Sequence, residues 1–531
     1  MGALDLAIIF GYLAGITMFG IWFSGKQETT RDYFLGDRTV PWWAIAASIV
    51  ATETSTITFI SVPGVAFARG GNFQFLQLVF GYMLGRVVIS LLFIPSYFRG
   101  DLLTVYQLLE RRFGLKIKML AAALFVVMRN IADGVRLLLT AIVLAAVYVA
   151  FQPEANAETI IIYSIILLGA VMIVFTYYGG MEAVIWVEVV QLGIYIAGAL
   201  AAAFVLASKI DGGFGGALAL GSQFDKLDIF DFSFTLTKTY TFWAGLIGGC
   251  FLTMSTHGTD QYLVQRYLCT DRPRRAAAAL LSSGAVVLAQ FIGFLFIGVL
   301  LFAFYQPQSD PAYGTLTAGA ATLPIEGAFR VVGSDRIFPD FITKYLPSGL
   351  SGLVVAAIFA AALSSSLNSI AATAVNDLYK PFAPPTATRD DRHYLRVSHW
   401  LTLVWGIAQI AVALIFMRQQ RAALDQALSI ASLINGPVLG VFLVGTFLRR
   451  VSEPPALIGM LVSLSVMLYV RFMTPLAWTW YVLLGSLVTL AVAYGVSFAF
   501  APATAERRDE LAPGGSAGKH LLPPAEIELS K

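Results

Sequence analysis

Charge and cysteine are what this sequence has least of. Only 13% of its 531 residues are Asp, Glu, Lys or Arg, whereas soluble chains carry roughly 25%. That shortage excludes a string of soluble domains. The two cysteines, Cys250 and Cys269, have neither redox nor metal spacing, which excludes a disulfide-stapled fold. No H-E-x-x-H, P-loop or G-x-S-x-G stretch occurs, so the motifs of membrane enzymes are missing and no catalytic residue is assigned. A net charge of +3 with no basic domain offers nucleic acid nothing to bind. What is abundant is apolar: 58% hydrophobic residues and a mean hydropathy of +0.75 describe an all-α polytopic membrane protein.

Apolar stretches long enough to cross a bilayer, about 20 residues each, fall near 4–24, 42–68, 75–98, 118–151, 159–178, 182–208, 239–268, 276–304, 347–377, 394–417, 425–448, 453–473 and 477–500. That makes thirteen spans. The first lacks a basic leader and a cleavage site and reads as a retained helix. Assigning the N-terminus to the outside puts Lys26, Arg31, Arg38, Arg99, Arg111, Arg112, Lys116, Lys118, Arg266, Arg272, Arg274, Arg275, Lys380, Arg389, Arg392, Arg449 and Arg450 on the inside, as the positive-inside rule requires. The cell membrane, with a cytoplasmic C-terminus, is the expected location. Residues 501–531, rich in Pro, Ala, Gly and Glu, read as a disordered tail.

Several spans carry residues that do not belong in lipid, where an Asp, Lys or Arg costs about 2.5 to 3.5 kcal/mol. The second holds Thr52-Glu53-Thr54-Ser55-Thr56 and the seventh Ser255-Thr256-His257-Gly258-Thr259-Asp260-Gln261. Neither run can hide from lipid in a continuous helix, so both helices are expected to break where they line a cavity. The breaks lie five spans apart, the pattern of an inverted-repeat transporter with its site at the repeat interface. Two polar kinks buried by neighbouring helices are the plainer alternative. The ninth span carries Ser364-Ser365-Ser366, Asn368, Ser369 and Thr373. These are hard oxygen donors suited to sodium, or equally small residues that let helices pack closely.

The sixth span puts Glu188, Gln191 and Tyr195 on one face, and this buried carboxylate needs a bound ion or a basic side chain. In the fourth, Arg129, Asp133 and Arg136 share a face, so one arginine is left for Glu188 or for an anionic solute if Asp133 takes the other. Arg86 in the third span reads first as a buried counter-ion, and His257 as a hydrogen-bonded lining residue.

Four motifs follow one another along the chain: Thr104-Val105-Tyr106-Gln107-Leu108-Leu109-Glu110-Arg111-Arg112-Phe113-Gly114, Gly179-Gly180-Met181-Glu182-Ala183-Val184-Ile185-Trp186, Thr259-Asp260-Gln261 with Val264-Gln265-Arg266, and the serine-rich ninth span ending in Asn376-Asp377-Leu378-Tyr379. Together they resemble the sodium:solute symporter family of sodium/glucose, proline, iodide, monocarboxylate and sialic-acid cotransporters. The resemblance implies a leucine-transporter-like core of five plus five inverted helices. An extra helix and loop occupies 1–40, the repeats 41–208 and 239–450 with an outer loop at 209–238 between them, and two extra helices 451–500.

It also implies Na+ as the coupling ion, held by the carbonyls of Ala51 and Thr54 and the hydroxyls of Ser364 and Ser365. Counted back from Asn368 and Asp377, the family's hydroxyl pair falls instead on Ala361 and Ala362, and the serines match a neighbouring second sodium site with Glu188 and Ser366. Where the family has Thr-Asp, this chain has Val187-Glu188. Ser55, Thr58, Asn72, Phe73 and Gln77 are similar in spacing to the solute-binding residues of bacterial sialic-acid symporters, which use an arginine of the fourth span for the solute carboxylate. Arg129 or Arg136 would take that part here, with Asp260 and Gln261 completing the solute set.

The expected function is sodium-coupled symport of a small organic solute by alternating access, with a carboxylate-bearing solute ahead of a sugar or polyol. A proton-coupled transporter using Glu188, Glu53 or Asp260 is the first alternative, and a channel or transporter-like sensor the next. The small-molecule solute and the lipid bilayer are the expected partners.

Overall fold

The computed structural model describes residues 2–23, 29–54, 56–99, 102–152, 154–306, 337–363, 366–382, 391–417 and 423–504. Ser55, Ser364, Ser365 and the tail beyond 504 lie outside the described residues. All regular structure among these residues is helical: α1 Ala3–Phe23, α2 Thr30–Leu35, α3 Trp42–Glu53, α4 Thr56–Phe67, α5 Leu76–Leu92, α6 Ile94–Tyr97, α7 Tyr106–Arg112, α8 Leu115–Phe151, α9 Ala157–Ser208 and α10 Gly213–Gln223. The second half continues with α11 Gly249–Gly258, α12 Gln261–Leu268, α13 Pro273–Tyr305, α14 Ile337–Tyr345, α15 Leu350–Leu363, α16 Leu367–Thr373, α17 Asp391–Phe416, α18 Ala423–Phe447, α19 Glu453–Met473 and α20 Tyr481–Val496.

Among the described residues, nine helices are long and apolar enough to cross a bilayer, and α3 with α4, bent by 56°, makes a tenth. The span expected near 239–268 is cut into shorter helices, α11 and α12, on either side of Thr259-Asp260, and α18 carries Pro437 within it. Outward faces carry exposed Phe10, Trp22, Leu91, Phe204, Trp400 and Phe472, as lipid contact requires.

Two features of packing set the positions of the polar residues. The expected fifth and sixth spans are the two arms of α9, Ala157–Tyr177 and Gly180–Ser208, which meet at a kink at Gly180, whose φ of 61° a side chain would resist. The core helices α5 and α11 meet backbone to backbone. A methyl on Gly81 would lie 2.3 Å from the Gly245 carbonyl oxygen, and one on Gly85 2.7 Å from that of Cys250. Small residues four apart permit such an approach.

Two arginines counted among the inner loop charges are core residues instead. Arg266 and Arg112 are fully buried. Arg112 donates to the carbonyls of Gly445 (3.3 Å), Leu448 (3.0 Å) and Arg449 (3.4 Å), capping the end of α18, where carbonyls lack helical partners.

Candidate functional site

Both expected interruptions are present, and they are closed by different chemistry. At the first, α3 stops at Glu53. Thr54 N donates to Val50 O at 2.8 Å, Thr54 Oγ1 lies 2.7 Å from Val50 O and 2.6 Å from Gln290 Oε1 of α13, and Thr58 Oγ1 donates to Glu53 O at 2.8 Å. Neutral hydroxyls therefore surround the carbonyl end of α3, the negative end of its dipole. Ala51 and Thr54 lie in this turn and are buried.

At the second interruption α11 stops at Gly258 and α12 begins after Asp260, which is extended and accepts from Tyr262 N at 2.9 Å as an N-cap. Ser255 O takes Thr259 N (2.9 Å), Asp260 N (3.2 Å) and Thr259 Oγ1 (3.0 Å), so the end of α11 is satisfied from within. Asp260 also pairs with Arg129 of α8.

Tyr262 stands at the centre of a buried charge cluster. Its ring lies 4.6 Å from the Arg129 guanidinium and 4.5 Å from that of Arg266, and Arg136 donates to its hydroxyl. Arg136 pairs with Asp133 at 3.1 Å, and Arg266 with Glu188 at 2.5 Å. The three arginines Arg129, Arg136 and Arg266 thus match the three acids Asp260, Asp133 and Glu188. The counter-ion of Glu188 comes from α12, not from α8 as the fourth-span pattern suggested. The Ser366 hydroxyl is turned to Asp133.

A second cluster joins the two broken helices to each other. Glu53 contacts Arg86 and lies 2.6 Å from His257 Nε2, while His257 Nδ1 lies 2.7 Å from the Tyr267 hydroxyl. Arg86 and His257 hold the places expected of a counter-ion and a lining residue.

The remaining solute candidates are dispersed in role. Phe73 and Thr58 are buried, and Asn72 caps the turn before α5. Gln77 is fully buried; its amide donates to Gln74 O (3.1 Å) and Tyr240 O (3.4 Å), and its oxygen accepts from Asp231 N (2.9 Å). Gln261 takes Val105 N (2.8 Å) and donates to Leu103 O (3.1 Å). Both glutamines fasten loops to the core in this conformation. Beside the second break, Tyr106, Phe125, Met128, Thr259, Asp260, Ile434, Asn435 and Val438 line a small cavity of about 10 Å³, room for about one water. Asn435 and Gln290 escaped the sequence reading because single amides in apolar helices carry no local pattern.

With two interrupted helices and a buried polar centre in hand, comparison with known proteins becomes decisive. The model of the sodium:solute symporter family matches residues 33–463. The chain belongs to the sodium:solute symporter family. It is 31% identical to the sodium/sialic acid symporter NanT of Aliivibrio fischeri over 93% of this chain and 92% of that one. To the sodium/sialic acid symporter SiaT of Proteus mirabilis it is 29% identical, covering 94% and 96%, and to the human sodium/iodide cotransporter 28%, covering 88% and 70%. Among solved structures, a Na+-coupled sialic acid symporter in a substrate-bound outward-open state, reported with a novel Na+ site, superposes with a TM-score of 0.80 at 28% identity, covering 95% of this chain and 99% of that one. Mhp1, a nucleobase-cation-symport-1 family transporter, shares the fold at a TM-score of 0.57 and 15% identity. This symporter is therefore a multi-pass secondary transporter with the leucine-transporter-like fold. It couples a small solute to sodium, and it is not an enzyme.

Proposed function

We propose that this symporter carries a small carboxylate-bearing solute, of the class its sialic-acid relatives take, and that Arg129 receives the carboxylate. The observation that carries this is Arg129 itself. Its side chain is 15% exposed, against 7% for Arg136, and its Nε has no hydrogen-bond partner. A buried guanidinium N–H without a partner is costly, and a carboxylate fills such a fork bidentately. Arg136, held by Asp133 and Tyr262, is the lesser candidate. Ser55, Thr58, Asn72 and Phe73 supply the rest of the solute surface. Sodium binds between the carbonyls of Ala51 and Thr54 and the hydroxyls of Ser364 and Ser365.

The N-terminus faces outward and the C-terminus the cytoplasm of the cell membrane. Sodium entering from outside stabilises the solute-ready arrangement, and linkage makes the coupling reciprocal. One cation crossing ~100 mV contributes roughly 2.3 kcal/mol and a tenfold gradient about 1.4 kcal/mol more. That supports accumulation of several hundredfold per ion on the order of magnitude of those terms. Proton coupling through Glu53, Glu188 or Asp260 is disfavoured, because each faces a guanidinium that protonation would leave buried and unpaired.

Two measurements test this reading. A thermal-shift screen of sugars, carboxylates and amino acids, with and without sodium, is expected to return a carboxylate that stabilises only with sodium. Arg129→Gln should then weaken that solute at least about tenfold, the value of one charge-assisted hydrogen bond, while Arg136→Gln acts less. Unchanged affinity in Arg129→Gln removes the carboxylate assignment.

A further inference from the structure

Glu188 is fully buried in the middle of α9, and its carboxylate is already fully engaged. Oε1 accepts from Arg266 Nη2 at 2.5 Å and lies 3.2 Å from the Thr52 hydroxyl, which it shares with the Ser48 carbonyl at 2.7 Å. Oε2 accepts from Arg266 Nε at 3.3 Å and from the Ser48 hydroxyl. A carboxylate has about four acceptor positions, and four donor groups surround this one, two of them sharing their proton with a second acceptor. A sodium ion on these oxygens would have to displace them.

Arg266 is held as completely. Nη1 donates to Tyr262 O at 2.5 Å, Nε also reaches Ser48 Oγ at 2.9 Å, and the guanidinium lies against the Tyr262 ring. No other acid in the cluster offers Arg266 a second home, since Asp133 and Asp260 have arginines of their own. An added cation at Glu188 would leave a net positive charge in a region taken out of water, which is costly.

The substitution of Glu for the family's Asp has a mechanical meaning here. One more methylene, about 1.5 Å of reach, lets the α9 carboxylate extend to the α12 arginine. Ser366, the other candidate for a second sodium, directs its hydroxyl to Asp133.

We infer that the Arg266 guanidinium is a resident counter-cation at Glu188, standing where a second coupling sodium would otherwise bind, so that this symporter moves one sodium per solute. The inference rests on the sodium coupling of the family and not on the identity of the solute. Its test therefore uses sodium alone: equilibrium binding of radioactive sodium to purified protein, counted as sites per chain.

The expected result is about one site per chain in the wild-type protein, kept with its affinity changed less than about twofold in Glu188→Gln with Arg266→Gln. Glu188→Gln alone strands a buried guanidinium and is expected to lose folded protein. Should the paired glutamines also fold poorly, Glu188→Met with Arg266→Met replaces the ion pair by apolar volume, an exchange that buried pairs tolerate. Two sites in the wild-type protein overturn the inference, and a fall from two to one in either double variant assigns the second ion to Glu188. Failure of the carboxylate screen leaves this count untouched, so the two readings fail separately.

Discussion

The two interrupted helices solve one problem, a helix that ends inside a membrane, in opposite ways. At Glu53 to Thr58 the loose end of α3 is held by hydroxyls and a glutamine. At Gly258 to Gln261 the start of α12 is held by a carboxylate that is balanced in turn by an arginine. Oxygen-rich, uncharged surroundings at a helix C-terminus suit a cation, whereas an N-terminus beside a guanidinium suits an anion. The difference supports the proposed placing of sodium at the first break and of the solute carboxylate at the second.

The largest effect expected from disturbing that contrast is at the second break. Asp260→Asn strands Arg129 and should lower stability by about 3 to 5 kcal/mol, read as thermal unfolding in detergent. Adding Arg129→Gln should restore most of it. A single variant as stable as the parent would mean that Arg129 has another partner. Next comes the first break: Ser364→Ala with Ser365→Ala should raise the sodium needed for half-maximal uptake about tenfold, the worth of roughly 1.4 kcal/mol, with solute affinity at saturating sodium nearly unchanged. Equal sodium dependence would remove the proposed site.

A smaller effect concerns α4, the second arm of the first broken helix. Lys226, buried in the loop after α10, donates to Ala66 O (3.1 Å), Phe67 O (3.2 Å) and Ala68 O (2.5 Å) at the end of α4. Burial pushes its ammonium down to about 8, below the unfolded value of about 10.4. Between those values the unfolded chain binds more protons, so stability rises with pH across that window and is flat below it. Lys226→Met should lack the rise, which melting curves at successive pH values between the two would show.

Much of this was legible in the sequence. The runs Thr52 to Thr56 and Ser255 to Gln261 announced both breaks because five to seven consecutive polar residues cannot face lipid. The pairings were not legible. Arg266 sits at the end of an apolar stretch and read as a loop charge, and its partner Glu188 is 78 residues away, beyond any local periodicity. Gly179-Gly180 read as the gap between two spans, and the two spans do part there, at a kink where Gly180 holds a φ of 61°.

The most direct test of the contrast between the breaks is solute and sodium binding measured on the same Arg129→Gln protein. The expected result is sodium affinity within about twofold of the parent with solute binding weakened about tenfold or more. Loss of both together would contradict the assignment of cation and anion to separate helix ends.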